Sequence, residues 1–315
     1  MNLIYIIYVS VFLLISVVSL ATGCSITGEN DCLNIERLAF LMRTSRIPRL
    51  AALALTGAGL SIGGVILQQI VRNKFVEPAT TGGLDAAKLG LLVALTLVPG
   101  LGLAGSAGFA FLFAFAAGLV YVAIIARMRL PSTLLVPVIG LMYGGVLSGI
   151  AEFFAYRTNN MQTMQGWMLG DFSKIVEGNY EILYITVPAV SAAYLFARRF
   201  TVVGLGRGIA ESLGLNYAAT VAFGLALVAV TASVTVIAVG AVPFVGLIIP
   251  NLIALRHGDN LVRTLPLVAL AGANFLIACD IFGRLVIYPF EVPIALTTGA
   301  VGGVTFLALI ARRGR

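Results

Sequence analysis

Arg46-Ile47-Pro48-Arg49-Leu50-Ala51-Ala52-Leu53-Ala54-Leu55-Thr56-Gly57-Ala58-Gly59-Leu60-Ser61-Ile62-Gly63-Gly64-Val65-Ile66-Leu67-Gln68-Gln69-Ile70-Val71 places two arginines at the mouth of a glycine-rich apolar run. From Leu50 onward the run carries no charge, and it is long enough for a helix to cross a bilayer. Its four glycines suit close helix–helix approach in lipid, where small residues let backbones meet. Arg46 and Arg49 are three apart and share a helix face. They stand at the predicted N-terminus of this helix, where the macrodipole disfavours cations. Helix stability therefore does not account for them. Two readings stay open: interfacial anchors, or recognition of something acidic from a position outside the packed bundle.

The rest of the chain extends the same theme. Of 315 residues, 60% are hydrophobic and 10% charged, with a mean hydropathy of +1.04. Soluble domains carry about one quarter charged residues, so this is an integral membrane protein. Apolar stretches of spanning character fall at Leu3–Leu20, Ile47–Val71, Leu84–Val98, Ala107–Ala126, Leu134–Ala155, Ile182–Phe200, Ala218–Val239, Pro243–Leu255, Leu265–Asp280 and Pro293–Ile310. Runs of helix length without alternating ten-residue segments exclude a transmembrane barrel. The expected fold is an all-α polytopic membrane protein of about ten transmembrane helices, forming one domain over 1–315.

Positive charge orients it. With the N-terminus inside, one side receives Arg72, Lys74, Arg127, Arg129, Arg198, Arg199, Arg207, Arg256, Arg263, Arg312, Arg313 and Arg315. The other side receives Arg37, Arg43, Arg46, Arg49, Arg157, Lys174 and Arg284. That distribution puts both termini in the cytoplasm. Lys88 is left near a membrane boundary, three residues after Asp85 and suited to an intrahelical pair with it. The net charge of +7 thus reflects topology and calls for no nucleic acid. Residues 23–45 form the predicted first outer loop, crowded with arginine against the trend.

The first run has no positive charge before it and is long, so it is read as a retained helix. Ala21-Thr22-Gly23-Cys24 bears a faint likeness to a lipoprotein cleavage site. Cys24 and Cys32 share the outer loop; a disulfide and two free thiols are both compatible with it. Cys279 reads as a small buried hydrophobe.

Several chemistries are closed. None of the three lysines follows a glycine, so there is no phosphate-binding loop. His257 is the single histidine, which excludes a multi-histidine metal site, and no metal ligand set or catalytic residue is identified. Glu152, Asp280 and Glu291 lie near the ends of spans, so a proton or sodium relay lacks the deep ionisable group it would use. A secondary transporter and a membrane-embedded enzyme are the alternative classes, and both are short of charged groups in the spans.

Three further stretches are unusual. Gly204-Leu205-Gly206-Arg207-Gly208-Ile209-Ala210-Glu211-Ser212-Leu213-Gly214-Leu215-Asn216 suits a short amphipathic helix with glycines at both ends. Pro243-Phe244-Val245-Gly246-Leu247-Ile248-Ile249-Pro250-Asn251 predicts a broken or short helix. Asp280-Ile281-Phe282-Gly283-Arg284 followed by Glu291-Val292-Pro293 places an irregular outer piece before the last span.

In this order, together with Arg72-Asn73-Lys74-Phe75-Val76-Glu77-Pro78, these pieces resemble the permease subunits of iron-siderophore and cobalamin ABC importers, the FecCD-type, type II importers. The resemblance covers Arg46 to the C-terminus. It implies a bacterial cytoplasmic-membrane permease that is not itself an enzyme and holds no cofactor. ATP and Mg would be bound by a separate ATPase. Its implied partners are a second permease chain, identical or homologous, two ATPase subunits, and an extracytoplasmic siderophore-binding protein. By resemblance, Arg46, Arg49 and Arg284 dock acidic residues of that binding protein, work suited to the planar guanidinium fork. The segment 204–216, with Arg207, Ile209, Glu211, Ser212, Leu213 and Gly214, couples to the ATPase. Ser61, Gln68, Gln69, Asn73 and Pro78 belong to the pathway and inner gate, which is expected to be lined by weakly interacting groups rather than fixed charges. Family prevalence favours a ferric siderophore as cargo, with cobalamin or haem as alternatives. Pro250-Asn251 stands where the family often has proline-histidine, and Gly82-Gly83-Leu84-Asp85-Ala86-Ala87-Lys88 departs from its usual serine- and glycine-rich turn.

Overall fold

The computed structural model describes residues 2–22, 35–128 and 135–313. Every regular element among them is helical. In chain order these are α1 (Asn2–Ala21), α2 (Ile35–Leu41), a π turn (Met42–Arg46), α3 (Ile47–Val71) and a 3₁₀ turn (Pro78–Thr81). Then come α4 (Gly83–Leu97), α5 (Leu103–Ala126), α6 (Leu135–Arg157) and α7 (Met161–Met168). After a second 3₁₀ turn (Glu181–Ile185) follow α8 (Thr186–Leu195), α9 (Ala197–Gly204) and α10 (Arg207–Ser212). The chain closes with α11 (Tyr217–Ala238), α12 (Val245–His257), α13 (Leu261–Leu285) and α14 (Ile294–Arg313). Each of the ten predicted apolar runs carries a helix, and among the described residues six helices are long and apolar enough by themselves to cross a membrane.

α3 is the hub. It packs against α13, α11, α12 and α8. Two glycines make this possible: a Cβ built at Gly57 would overlap the backbone carbonyl of Gly272 on α13, and one at Gly64 that of Gly246 on α12. Leu53, Leu60, Ile66, Leu67 and Ile70 fill the surrounding core with Phe200, Leu225 and Leu276. α6 is different. It is seated on the start of α4 and the 3₁₀ turn before it through Gly140, Gly144, Ala151 and Ala155, and most of its other residues are open.

The short helix predicted at Pro243–Asn251 is α12. It follows an irregular segment and begins after Phe244, whose φ of 69° sets the sharp entry. Pro250 lies inside it and brings no amide to the Gly246 carbonyl, which accepts from the Gln68 side chain at 3.3 Å instead, while the Asn251 side-chain amide donates to the Leu247 carbonyl at 2.7 Å.

Three expectations change. Residues 35–45 of the predicted outer loop are helical, and α2 and the π turn run straight into α3. Arg46 and Arg49 therefore sit inside a helical stretch rather than at its N-terminus. The run Ile182–Phe200 is interrupted at Phe196, between α8 and α9. Cys24 and Cys32 lie outside the described residues, as does the rest of 23–34.

Candidate functional sites on the two faces and at their junction

The outer ends of α1, α3 and α13 share a buried charge cluster. Arg49 reaches Asp280 at 2.7 Å and Glu291 at 2.8 Å. Arg284 pairs with the other oxygen of Asp280 and donates to the carbonyls of Ser19 and Thr22, both at 3.4 Å. The Arg49 side chain is 12% exposed and that of Arg284 is 8% exposed. Two cations thus meet two carboxylates, and the cluster is internally neutral. This corrects the expectation that the paired arginines stand outside the packed bundle: Arg49 and Arg284 hold three elements together. Arg46 donates to the carbonyl of Leu20 at 2.8 Å. Arg43, one turn earlier, has an 80% exposed side chain and meets Glu177, in the irregular segment before the second 3₁₀ turn, at 3.2 Å.

The inner junction forms where the chain leaves α3. Arg72 turns it with a left-handed φ of 56°. Asn73 is buried and its side-chain oxygen accepts from the Phe75 amide at 2.9 Å. Gln68 donates to the carbonyl of Gly246 at 3.3 Å, and Pro78 packs beside Gly63 and Gly246. The Asn251 amide donates to the carbonyl of Lys74 at 2.7 Å, so the residue that replaces the family's histidine pins this connector to α12. At the centre is Glu77, a residue the sequence reading quoted but did not single out. Its carboxylate accepts from the Phe244 amide at 3.1 Å, at the N-terminus of α12. Burial pushes the Glu77 carboxyl from its ordinary 4.5 up to about 7, against the opposing pull of the Phe244, Leu247 and Gly246 amides. A glutamate filling a proline-adjacent turn gives no sequence signal of this contact, because its partner is over 160 residues away.

The predicted pathway residues do not all meet. Gln68, Asn73 and Pro78 gather at the junction. Ser61 is buried against Gly272 of α13, its hydroxyl without a hydrogen bond among the described residues. Gln69 faces Gly204 at the end of α9.

The coupling face matches its expected form. α10 lies between Gly206 and Gly214, whose φ values of 106° and 77° need glycine. Arg207 pairs with Glu211 at 2.8 Å, a hydrogen bond that raises the arginine's pKa. Leu205, Ile209 and Leu213 are exposed on a charged face of the molecule. Beside them a recess of ≈ 620 Å³ is lined by Phe196, Arg199, Leu213, Leu215, Asn216 and Phe223.

Charge also occurs inside the bundle. Lys88 is buried between α4 and α6, hydrogen-bonded to Ser148, with Asp85 at 3.5 Å and Glu152 at 3.8 Å. The intrahelical pair with Asp85 is as predicted, but Lys88 is not at a boundary. α4 continues for about 13 Å beyond it to Leu97, and α7 folds back against α4 and α6 through Met164. The sequence places Glu152 near a span end, and it stands there with a 53% exposed side chain.

A short proline-containing helix packed on the central one, a charged outer face and an amphipathic inner helix within a ten-run apolar bundle define a polytopic transport permease. The fold agrees: a metal-chelate type ABC transporter solved in an inward-facing conformation matches with a TM-score of 0.82, over 99% of this chain and 100% of that one, at 24% identity. The chain belongs to the FecCD transport family, whose model matches residues 3–312. It is 58% identical over 266 residues to the ferric-anguibactin transport system permease protein FatD of Vibrio anguillarum, covering 84% of this chain and 85% of the relative. It is 39% identical over 302 residues to the petrobactin import system permease protein YclN of Bacillus subtilis, covering 96% of each. It is thus a multi-pass protein of the cytoplasmic membrane.

Proposed function

We propose that this chain is the permease of an ATP-driven importer that carries a ferric siderophore inward. The 58% identity to a ferric-anguibactin permease carries the cargo reading, and the 39% identity to a petrobactin permease supports it. The chain supplies the passage and no chemistry. ATP hydrolysis in two partner subunits switches it between outward- and inward-open states, and an extracytoplasmic binding protein delivers the chelate. α10 is the coupling element: its exposed Ile209 and Leu213 are apolar anchors for a partner cleft, since apolar side chains on a charged face otherwise carry no benefit. On the outer side Arg43 and Arg46 are the primary contacts for acidic residues of the binding protein. Arg49 and Arg284 join them when the partially exposed Glu291 is displaced. The Glu77 junction is the inner gate, a connector held on α12 by the Glu77 carboxylate and the Asn251 amide.

Proteoliposomes containing the permease with its ATPase and binding-protein partners test this. Ferric siderophore accumulates with ATP and does not accumulate with an ion gradient alone. Leu213→Asp places a charge in the coupling cleft and lowers recovery of the ATPase with the permease by about tenfold or more, the effect of one buried unpaired charge. Accumulation driven by an ion gradient without ATP overturns the function. Equal recovery and uptake with Leu213→Asp makes 204–216 a simple connector.

A further inference from the structure

α6 has an open face of unusual composition for an apolar helix. Gly145, Gly149, Glu152 and Tyr156 recur at helical spacing and share one side. All four are exposed, and a Cβ at Gly145 or Gly149 would meet nothing within 4 Å. The glycines are therefore not there to admit a neighbour within this chain. Glu152 is the charged member of the stripe, with a 53% exposed side chain. Beneath it Lys88 and Asp85 are 6% and 24% exposed. Ser148 accepts from Lys88 and donates to Glu152 at 2.9 Å, bridging the two helices.

The group holds two carboxylates and one ammonium. Among the described residues no other cation pairs with either acid, so one negative charge is left over. It resides on Glu152, the most exposed of the three and the furthest from the ammonium. A carboxylate on a membrane helix faces a bundle interior or a water-filled cavity, because hydrocarbon cannot solvate it. The interior of this chain's own bundle is excluded by its exposure. A water-filled cavity remains.

We infer that Lys88, Asp85 and Glu152 form a charged section of the passage wall, and that Glu152 disfavours anionic ferric chelates relative to neutral ones. This rests on the chain being a chelate permease. Lys88 holds Asp85 and Ser148 in place, while the outward-facing Glu152 sets the sign of the field that the cargo meets. Gly145 and Gly149 leave the wall flat enough for a bulky ligand. The passage is thus selective by charge, in contrast to the uncharged lining expected from Ser61, Gln68 and Gln69.

Two measurements on the assembled transporter test it. The first compares ATP-driven uptake of a neutral ferric trihydroxamate and an anionic ferric tricatecholate by wild type, Glu152→Gln and Glu152→Lys. A unit charge some 10–15 Å from a trianionic ferric tricatecholate, at an effective dielectric near 20, changes relative passage by about a hundredfold or more. The anionic-to-neutral ratio therefore rises by about a hundredfold or more in Glu152→Gln and further in Glu152→Lys; the binding protein is common to all three and its own preference cancels. An unchanged ratio overturns the proposal. The second introduces Gly149→Cys into a chain whose natural cysteines are serine. The thiol reacts with a water-soluble reagent, at a rate that differs between nucleotide-free and ATP-bound states. No reaction in either state, or a spontaneous disulfide between two copies at position 149, places this face against lipid or a second subunit and overturns it. If neither chelate accumulates in wild type, the labelling still decides where the face lies.

Discussion

α3 and α6 are both apolar helices of more than twenty residues, yet 72% of the span containing α3 is buried and only 22% of α6. Both contain glycine pairs. In α3, Gly57 and Gly64 lie directly against backbone carbonyls of α13 and α12; in α6, Gly145 and Gly149 face open space. The same residue type thus serves as a packing surface in one helix and as a smooth wall in the other. Their charges differ in the same way. Beside α3, Arg49 and Arg284 are cancelled by Asp280 and Glu291; on α6, Glu152 is left over after Lys88 is shared with Asp85. Compensated charge holds a scaffold together, and uncompensated charge has to meet something that moves.

The strongest way to break the comparison is Gly64→Val. Its side chain would occupy the Gly246 carbonyl position, and neither backbone can retreat, so the cost exceeds about 5 kcal/mol and no folded permease is recovered from the membrane. Gly149→Ala changes stability by about 0.5 kcal/mol or less. Size-exclusion recovery in detergent reads both, and equal recovery removes the distinction between the helices.

Next in size is Asp280→Asn, which leaves Arg49 with Glu291 alone and Arg284 with carbonyls alone. Removing one member of a buried ion group costs about 3–5 kcal/mol. Glu152→Gln on the open face costs about 1 kcal/mol or less. Thermal unfolding of the two variants at neutral pH compares them; a similar shift in both would mean that the α6 charges are structural too.

The smallest effect concerns the junction that joins the two regions. The folded protein holds the Glu77 proton between about pH 4.5 and 7, where the unfolded chain has released it. The folded state binds more protons in that window, so this group's contribution to stability falls as pH rises through it and levels off above about 7. The change is on the order of 1–3 kcal/mol. Glu77→Gln keeps an acceptor for the Phe244 amide and removes the slope, which denaturant titrations at pH 5 and pH 7.5 resolve. A slope that survives in Glu77→Gln assigns the titration to another group.

The spans were legible because the bilayer imposes a length and a polarity that any single run displays on its own. α10 was legible for a similar reason: Gly206, Gly214 and the Ile209–Leu213 spacing are local. The short helix α12 was announced by Pro243, Gly246 and Pro250, all within eight residues. Helix α2 was not read, since Ile35–Leu41 carries Glu36 and Arg37 and its continuation into α3 depends on packing at the outer surface. Glu77 was missed because its partners, Phe244, Gly246 and Leu247, come from the far end of the chain.

What the sequence determined by itself is class, orientation and family: apolar run length, the placement of arginine, and motifs such as Arg46–Arg49 and Arg72–Pro78 in fixed order. What the tertiary structure decided is which charges are satisfied. Arg49 looks free beside Pro48 until α13 brings Asp280 to it, and Lys88 looks like a boundary residue until α6 and α7 enclose it. Periodicity assigns a residue to a face of its own helix. Whether that face meets a carboxylate, a backbone or a passage depends on the helix packed against it, and a linear pattern holds no record of that.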